Sequence, residues 1–286
     1  MPKYPVKKKT FTKSKTKRKT STSFRIFVYL FVFFVVTGLG IFTYEYADGL
    51  LFYLGFKSKN EYGLTKEERR INDIHIYEVL DTHKDFMIGF DISEYQEKIE
   101  WESLGKIEDT FDLNFVFVRA TAGNNKVDKR FKENWIASKE KGIIRGAYHY
   151  YRPNENSIQQ ANNFIKTVKL EKGDLPPVLD IEKLPRTQSL DSLKKGLRRW
   201  LVKVEKHYKM KPIIYSGESY YTDFLRKEFS EYPFWIANYN FWRKKPDDHW
   251  LIWQFTEKAQ VNGVKGLVDV NLFNGDFIKL IENTKD

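Results

Sequence analysis

The chain has 286 residues, a formal net charge of +11 and no cysteine. That length holds one large domain or two small ones with ample core, and the absence of thiols excludes disulfides, thiolate nucleophiles and cysteine metal sites. The charge suggests a nucleic-acid binder until it is located: Lys3, Lys7, Lys8, Lys9, Lys13, Lys15, Lys17, Arg18, Lys19 and Arg25 lie in residues 1–25 without an acid, and setting those ten aside leaves +1 for everything else.

A nearly neutral body argues against a nucleic-acid surface, so no nucleic-acid partner is expected. The aromatic share of 16% serves either a core or ring faces that stack on sugars. The histidines, His75, His83, His149, His207 and His249, show no ligand spacing, and neither a metal nor another cofactor is expected.

Residues 1–25 read as a basic cytoplasmic tail, and from Ile26 to Tyr44 nineteen residues pass without a charge. As a helix at about 1.5 Å per residue such a run spans the hydrocarbon of a bilayer. The cations before it, with Glu45 and Asp48 after it, put the amino terminus in the cytoplasm and the rest of the chain outside the cell membrane. A cleaved signal peptide is the competitor, with Gly38 and Gly40 as a weak cleavage site and a secreted product. Residues 45–85 read as a connector. Leu50 to Phe56 is a short apolar patch suited to a membrane surface or to packing on the domain, and Thr65 with Glu68 matches a capping box that starts a short helix near Lys66.

From residue 86 to 286 the chain alternates short apolar strands with other segments. The strands are Phe86 to Asp91, Phe115 to Ala120, Ile143 to Tyr150, Val178 to Ile181, Pro212 to Ser216, Phe234 to Asn238, Leu251 to Phe255 and Leu267 to Asn271. Helical patterns fill Asp128 to Lys141, closed by Gly142, then Ser157 to Val168, and Ser189 to Tyr208, where Leu190, Leu193, Leu197, Leu201, Val204 and Tyr208 recur at three- and four-residue spacing. Only twelve residues separate Asn238 from Leu251 and eleven separate Phe255 from Leu267, too few for a comfortable helical crossover. The pattern predicts an α/β fold, an irregular TIM-like barrel with some antiparallel pairing near its end; an open α/β sheet is the alternative.

In such a barrel the carboxyl ends of the strands share one rim. Asp180 and Glu182 end the fourth strand at i and i+2, on one face. Asp91 ends the first strand, and Asp269 with Asn271 ends the eighth. Repulsion and partial burial within such a cluster raise the proton affinity of one acid, which is what glycosidic cleavage requires. Tyr148, Tyr150 and Tyr151, Tyr215, Trp235, Tyr239 and Trp253 lie around these acids, and those facing inward at the rim are candidates for stacking and hydrogen bonding to sugars. His149, between two tyrosines that face the other way, reads as a core histidine.

These residues form an ordered set: Gly89-Phe90-Asp91-Ile92-Ser93 with Gln96 and Trp101; Phe115-Val116-Phe117-Val118-Arg119-Ala120-Thr121; Gly146-Ala147-Tyr148-His149-Tyr150 with Arg152-Pro153; Pro177-Val178-Leu179-Asp180-Ile181-Glu182; Trp235-Ile236-Ala237-Asn238-Tyr239; Trp253-Gln254-Phe255; and Val268-Asp269-Val270-Asn271. The set resembles glycoside hydrolase family 25, the Chalaropsis-type lysozymes that cleave the β-1,4 bond after N-acetylmuramic acid in peptidoglycan. The resemblance implies a (β/α)5(β)3 barrel that acts on glycan strands, with Glu182 as general acid, Asp180 as its partner, and Asp91 and Asp269 as the other pocket acids; a monomeric catalytic domain is expected. From their places at the strand ends, Tyr148, Tyr215, Trp235, Tyr239, Trp253 and Asn271 are the expected substrate contacts. One position departs from the pattern: Ala122 stands where the family commonly has a glutamate. That substitution motivates the alternative of a catalytically impaired glycan-binding or scaffold protein on the same fold.

Overall fold

The computed structural model describes residue 26, residues 28–37 and residues 66–286. Residues 28–37 are helical, and among the described residues no helix is long and apolar enough to cross a membrane. The tail over residues 1–25, the remainder of the apolar run, the Leu50 to Phe56 patch and the Thr65 end of the capping box lie outside the described residues.

Among the described residues nine strands form one sheet, and pairing of the first strand with both the second and the last closes it. The strands are β1 (Met87–Ile92), β2 (Phe115–Ala122), β3 (Lys126–Val127), β4 (Ile144–Tyr150), β5 (Val178–Asp180), β6 (Ile213–Gly217), β7 (Phe234–Ala237), β8 (Ile252–Ala259) and β9 (Val268–Phe273). Strand β3 is a hairpin return onto the edge of β2, so eight strands make the barrel and the open-sheet alternative is excluded. All barrel pairings are parallel except those of β9, which runs antiparallel to both β8 and β1. The short connections after β7 and β8 carry no helix, as their lengths predict.

The helices are α1 (Lys66–Thr82), α2 (Phe131–Glu140), α3 (Ser157–Thr167), α4 (Leu190–Tyr208) and a short α5 (Phe277–Glu282). The Asn156 side chain caps α3 by accepting from the Ile158 and Gln159 amides, and Ser189 caps α4 through the Ser192 amide. Helix α2 starts later than its pattern predicts. Asp128 is committed instead to the Arg119 guanidinium at 2.8 Å and to the backbone amides of Glu94 and Arg130. The first crossover departs from a regular β/α unit, holding only 3-10 turns at Glu94–Gln96 and Trp101–Ser103. The fifth barrel strand, β6, is followed by a helical turn at Glu218–Tyr220 and one π-helical turn over Tyr221–Leu225.

Helix α1 lies within residues assigned above to the connector, yet it packs on the barrel. The Asn72 side chain donates to the Lys258 carbonyl and accepts from Thr256, and His75 lies between the rings of Phe241 and Phe255. The barrel unit therefore extends upstream of residue 86, to include α1.

Strand alternation sorts the core into two layers. Outward residues such as Phe90, Val116, Val118, Leu179, Ile214 and Trp253 meet the helices, while Phe115, Phe117, Val178, Ile213, Tyr215, Trp235, Ile252 and Phe273 fill the barrel. The inward rings fit because two inward positions are glycine. A Cβ on Gly89 would stand 2.4 Å from the Phe115 ring, and one on Gly146 2.3 Å from Phe117. Phe117 stacks on Trp235 with centroids 4.7 Å apart, closing the barrel floor beneath the rim.

Candidate active site

Register places the acids. Asp180 shares the face of Val178, which points into the barrel, and it pairs with Tyr150 on one side and Tyr215 on the other. Beyond β5 the alternation continues because the Ile181 amide donates to the Tyr215 carbonyl at 3.0 Å and the Ser216 hydroxyl to the Ile181 carbonyl at 2.6 Å. Glu182, half-buried, is thereby directed to the same mouth as Asp180. Asp91 pairs with Phe117 and Asp269, which puts acids of the first and last strands side by side across the closing seam. Asp91, Asp180 and Asp269 are each at most 5% exposed, so the rim carries carboxylates largely withdrawn from water.

The acids act on two phenols, those of two strands on Tyr215 and those of one on Tyr150. Tyr215 has its pKa raised well above the ordinary value, by burial first and then by Tyr239, Glu182, Asp180 and Asp269. Tyr150 is raised by burial and then by Glu182 and Asp180. Both hydroxyls therefore stay protonated beside the acids.

Beneath the rim runs a hydrogen-bonded chain. Tyr215 donates to Gln254 Oε1 at 2.8 Å, and Tyr239 donates to the same oxygen. Gln254 Nε2 then donates to Asp91 Oδ2 at 2.7 Å, which also accepts from Asn271 Nδ2 at 3.0 Å. The Asn271 Oδ1 in turn accepts from the Trp235 indole at 2.8 Å. Two amide donors on one oxygen fix the orientation of the Asp91 carboxylate.

The structure brings together nine of the ten predicted site residues. Tyr148 and Tyr239 are half-buried at the rim, whereas Tyr215, Trp235 and Asn271 lie lower and hold other side chains. Trp253 is a correction. It is fully buried on the outward face, packs on Phe255 and donates its indole N–H to the Asn238 carbonyl, so it offers no ring to a sugar. The inward residue of that strand is its neighbour Gln254, the hub of the network, which the sequence reading passed over as a contact. Tyr95 was also missed. It is 55% exposed, its ring lies under the Arg119 guanidinium at 4.6 Å, and it contributes to the raised pKa of Tyr150.

His149 is a core residue, as expected. Its ring stacks on Trp200 at 5.6 Å, Nδ1 meets the Thr121 hydroxyl at 2.7 Å and Nε2 meets Gln160 Oε1 at 3.1 Å. Because Gln160 Oε1 accepts there, Nε2 carries the proton and Thr121 donates to Nδ1. Ala122 is 5% exposed and sits opposite Lys126 across the hairpin, where Lys126 and Arg119 both pair with Glu94. Among the described residues no group of three or more His, Asp or Glu side chains is placed to hold a metal ion.

A closed α/β barrel with buried carboxylates gathered at one rim, from the carboxyl ends of β1 and β5 and, because β9 runs antiparallel, from the amino end of β9 rather than the carboxyl end expected of Asp269, is the architecture of a barrel enzyme. Comparison with known proteins defines which: residues 90–264 match the profile of the glycosyl hydrolases family 25, and the chain belongs to that family of glycoside hydrolases. An uncharacterized Escherichia coli protein, YegX, is 42% identical over 191 residues, covering 65% of this chain and 69% of the relative. Lysozyme M1 of Streptomyces globisporus is 32% identical over 208 residues, covering 68% of this chain and 69% of its own. Among solved structures, a bacterial lysozyme from Streptomyces coelicolor superimposes with a TM-score of 0.62 at 28% identity, covering 70% of this chain and 97% of its own. A family 25 glycosyl hydrolase from Bacillus anthracis gives 0.63 at 26% identity, over 71% and 95%.

Proposed function

We propose that the protein is a peptidoglycan muramidase that cleaves the β-1,4 bond between N-acetylmuramic acid and N-acetylglucosamine. The observation that carries this reading is the gathering of buried acids at one rim, with Asp180 beside Tyr215 and Asp269 beside an Asp91 fixed by Gln254 and Asn271; similarity to proteins named lysozyme supplies the substrate class. Glu182, the most accessible of the four acids, protonates the leaving glycosidic oxygen. Asp180, two residues earlier on the same face, orients the acetamido group of the muramoyl sugar, whose carbonyl oxygen attacks the anomeric carbon as the bond to the leaving oxygen breaks. Water then opens the resulting ring, Glu182 taking back its proton, with net retention. Tyr148 and Tyr239 contact the sugar at the rim, while Tyr215, Trp235 and Asn271 hold the acids and their supports.

The double displacement, in which a carboxylate itself attacks, is the competing route and also retains configuration. The uncharged run from Ile26 to Tyr44 supports an amino-terminal anchor that leaves the barrel outside the cell membrane, confining cutting to nearby wall. Ala122 favours one second reading, a glycan-binding protein with impaired catalysis. Turbidity clearing of purified peptidoglycan separates the two: the parent clears it and Glu182→Gln does so at least about a hundredfold more slowly. A parent that binds walls without clearing them sinks the enzymatic reading.

A further inference from the structure

Helix α4 has two unlike sides. Leu193, Leu197, Trp200, Leu201, Val204 and Tyr208 are buried against the barrel. The opposite side repeats Lys195, Arg199, Lys203 and Lys206 at three- and four-residue spacing, with Val202 among them 54% exposed. Together with Ile158 at the start of α3 these residues line an open groove of about 520 Å³.

An exposed lysine on a helix is ordinarily just a solvated charge, but this groove differs in three respects. No acidic side chain among the described residues lines it. Arg198, which also lines it, is engaged by Glu231 at 2.6 Å, whereas among the described residues no ion pair neutralises Lys195, Arg199, Lys203 or Lys206. The positive field also extends past the groove: burial and then Lys169, Lys203 and Lys285 lower the pKa of His207 in the last turn of α4. The cations thus gather on one flank of a chain that is almost neutral beyond residue 25.

We propose that this groove is a second, non-catalytic binding surface for a carboxylate-bearing glycan strand, an inference that rests on the muramidase reading. The apolar faces of sugar rings lie against Val202, Ile158 and the aliphatic stems of the cations, while lactyl and stem-peptide carboxylates meet the ammonium and guanidinium tips. The flank offers no Trp, Phe or Leu to insert into a bilayer, as interfacial helices do, whereas its row of cations matches carboxylates repeated along a strand of polymer. A second grip keeps the enzyme on an insoluble polymer between cuts by raising its effective concentration there.

The test is sedimentation of the full-length chain, in mild detergent, with purified peptidoglycan sacculi. The fourfold variant K195E/R199E/K203E/K206E is expected to be retained about tenfold or more weakly than the parent, and salt should erode retention of the parent alone. Sacculi whose carboxylates have been amidated should hold the parent as poorly as native sacculi hold the variant. Initial rates on a short soluble glycan should be equal for the two proteins. Equal retention of parent and variant overturns the proposal, as does an equal loss of rate on the soluble glycan. Binding to phosphatidylglycerol vesicles that needs the four cations, with sacculus retention unchanged, overturns it in favour of a membrane surface. Groove-dependent retention without any cutting would leave the groove standing and remove the muramidase reading; cutting with groove-independent retention would do the reverse.

Discussion

His149 gives the barrel an acid lability whose size follows from its surroundings. It is completely buried, and burial lowers its pKa from 6.5 to about 3, with Gln160 opposing and Arg152 adding to the shift. Because the folded value is depressed, the unfolded chain takes up the proton first. Stability from this group is complete above about pH 6.5 and drains as the pH falls, until the folded ring itself protonates near 3. Each pH unit inside that window costs about 1.4 kcal/mol, so a fall from about pH 6.5 to about pH 5 removes roughly 2 kcal/mol. His75, lowered to about 4 by burial and by Lys244 against the opposing charge of Glu78, contributes a comparable amount over the same interval. Every carboxylate is common to the parent and a His149 variant, so carboxylate titration cancels in a comparison of the two. Urea midpoints of the parent and of His149→Gln, measured at about pH 6.5 and about pH 5, isolate the effect, since glutamine can still bond Thr121 and Gln160 but does not titrate. The variant should be less stable at the higher pH yet lose about 2 kcal/mol less on acidification. An identical fall in both proteins would refute the assignment of a neutral, buried His149.

Other expectations follow from the site and the core. Gln254→Leu leaves Asp91, Tyr215 and Tyr239 short of hydrogen bonds and should cost about 2–4 kcal/mol in denaturant unfolding, with kcat falling more than KM rises. Trp253→Phe, on the outward face, should lower stability by about 1–2 kcal/mol while leaving KM for glycan unchanged, and a raised KM would restore Trp253 to the substrate side. Gly146→Ala drives a Cβ into the Phe117 ring and should cost at least about 1–3 kcal/mol, read as a lowered Tm.

Much of this molecule could be read before any coordinates. All eight barrel strands fall where apolar runs bounded by turns put them, and the brevity of the connections after β7 and β8 correctly predicted bare crossings. Asp180 and Glu182 were legible because a two-residue period needs no knowledge of the rest of the fold. Trp253 and Gln254 show where that reasoning stops. Alternation says that one of the two faces inward but not which, and the large ring drew attention although Gln254, one polar residue inside a buried apolar strand, was the better signal. Asp128 and α1 failed differently. A helix pattern cannot reveal that Asp128 will be engaged by Arg119, nor that Asn72 and His75 will bury themselves against β8, because those partners are distant in sequence. Tyr95 carried no sequence signal beyond being aromatic; only its placement under Arg119 and its effect on Tyr150 mark it.

The central claim is that Glu182 donates the proton in a retaining cleavage after N-acetylmuramic acid. Muropeptide analysis of peptidoglycan digested by the full-length chain, with the anomeric configuration of the first product followed by NMR, tests it most directly. The account predicts new reducing ends on N-acetylmuramic acid, formed first as the β-anomer, and their loss in Glu182→Gln. Reducing ends on N-acetylglucosamine, an inverted first product, or a Glu182→Gln variant that cuts as fast as the parent would contradict it.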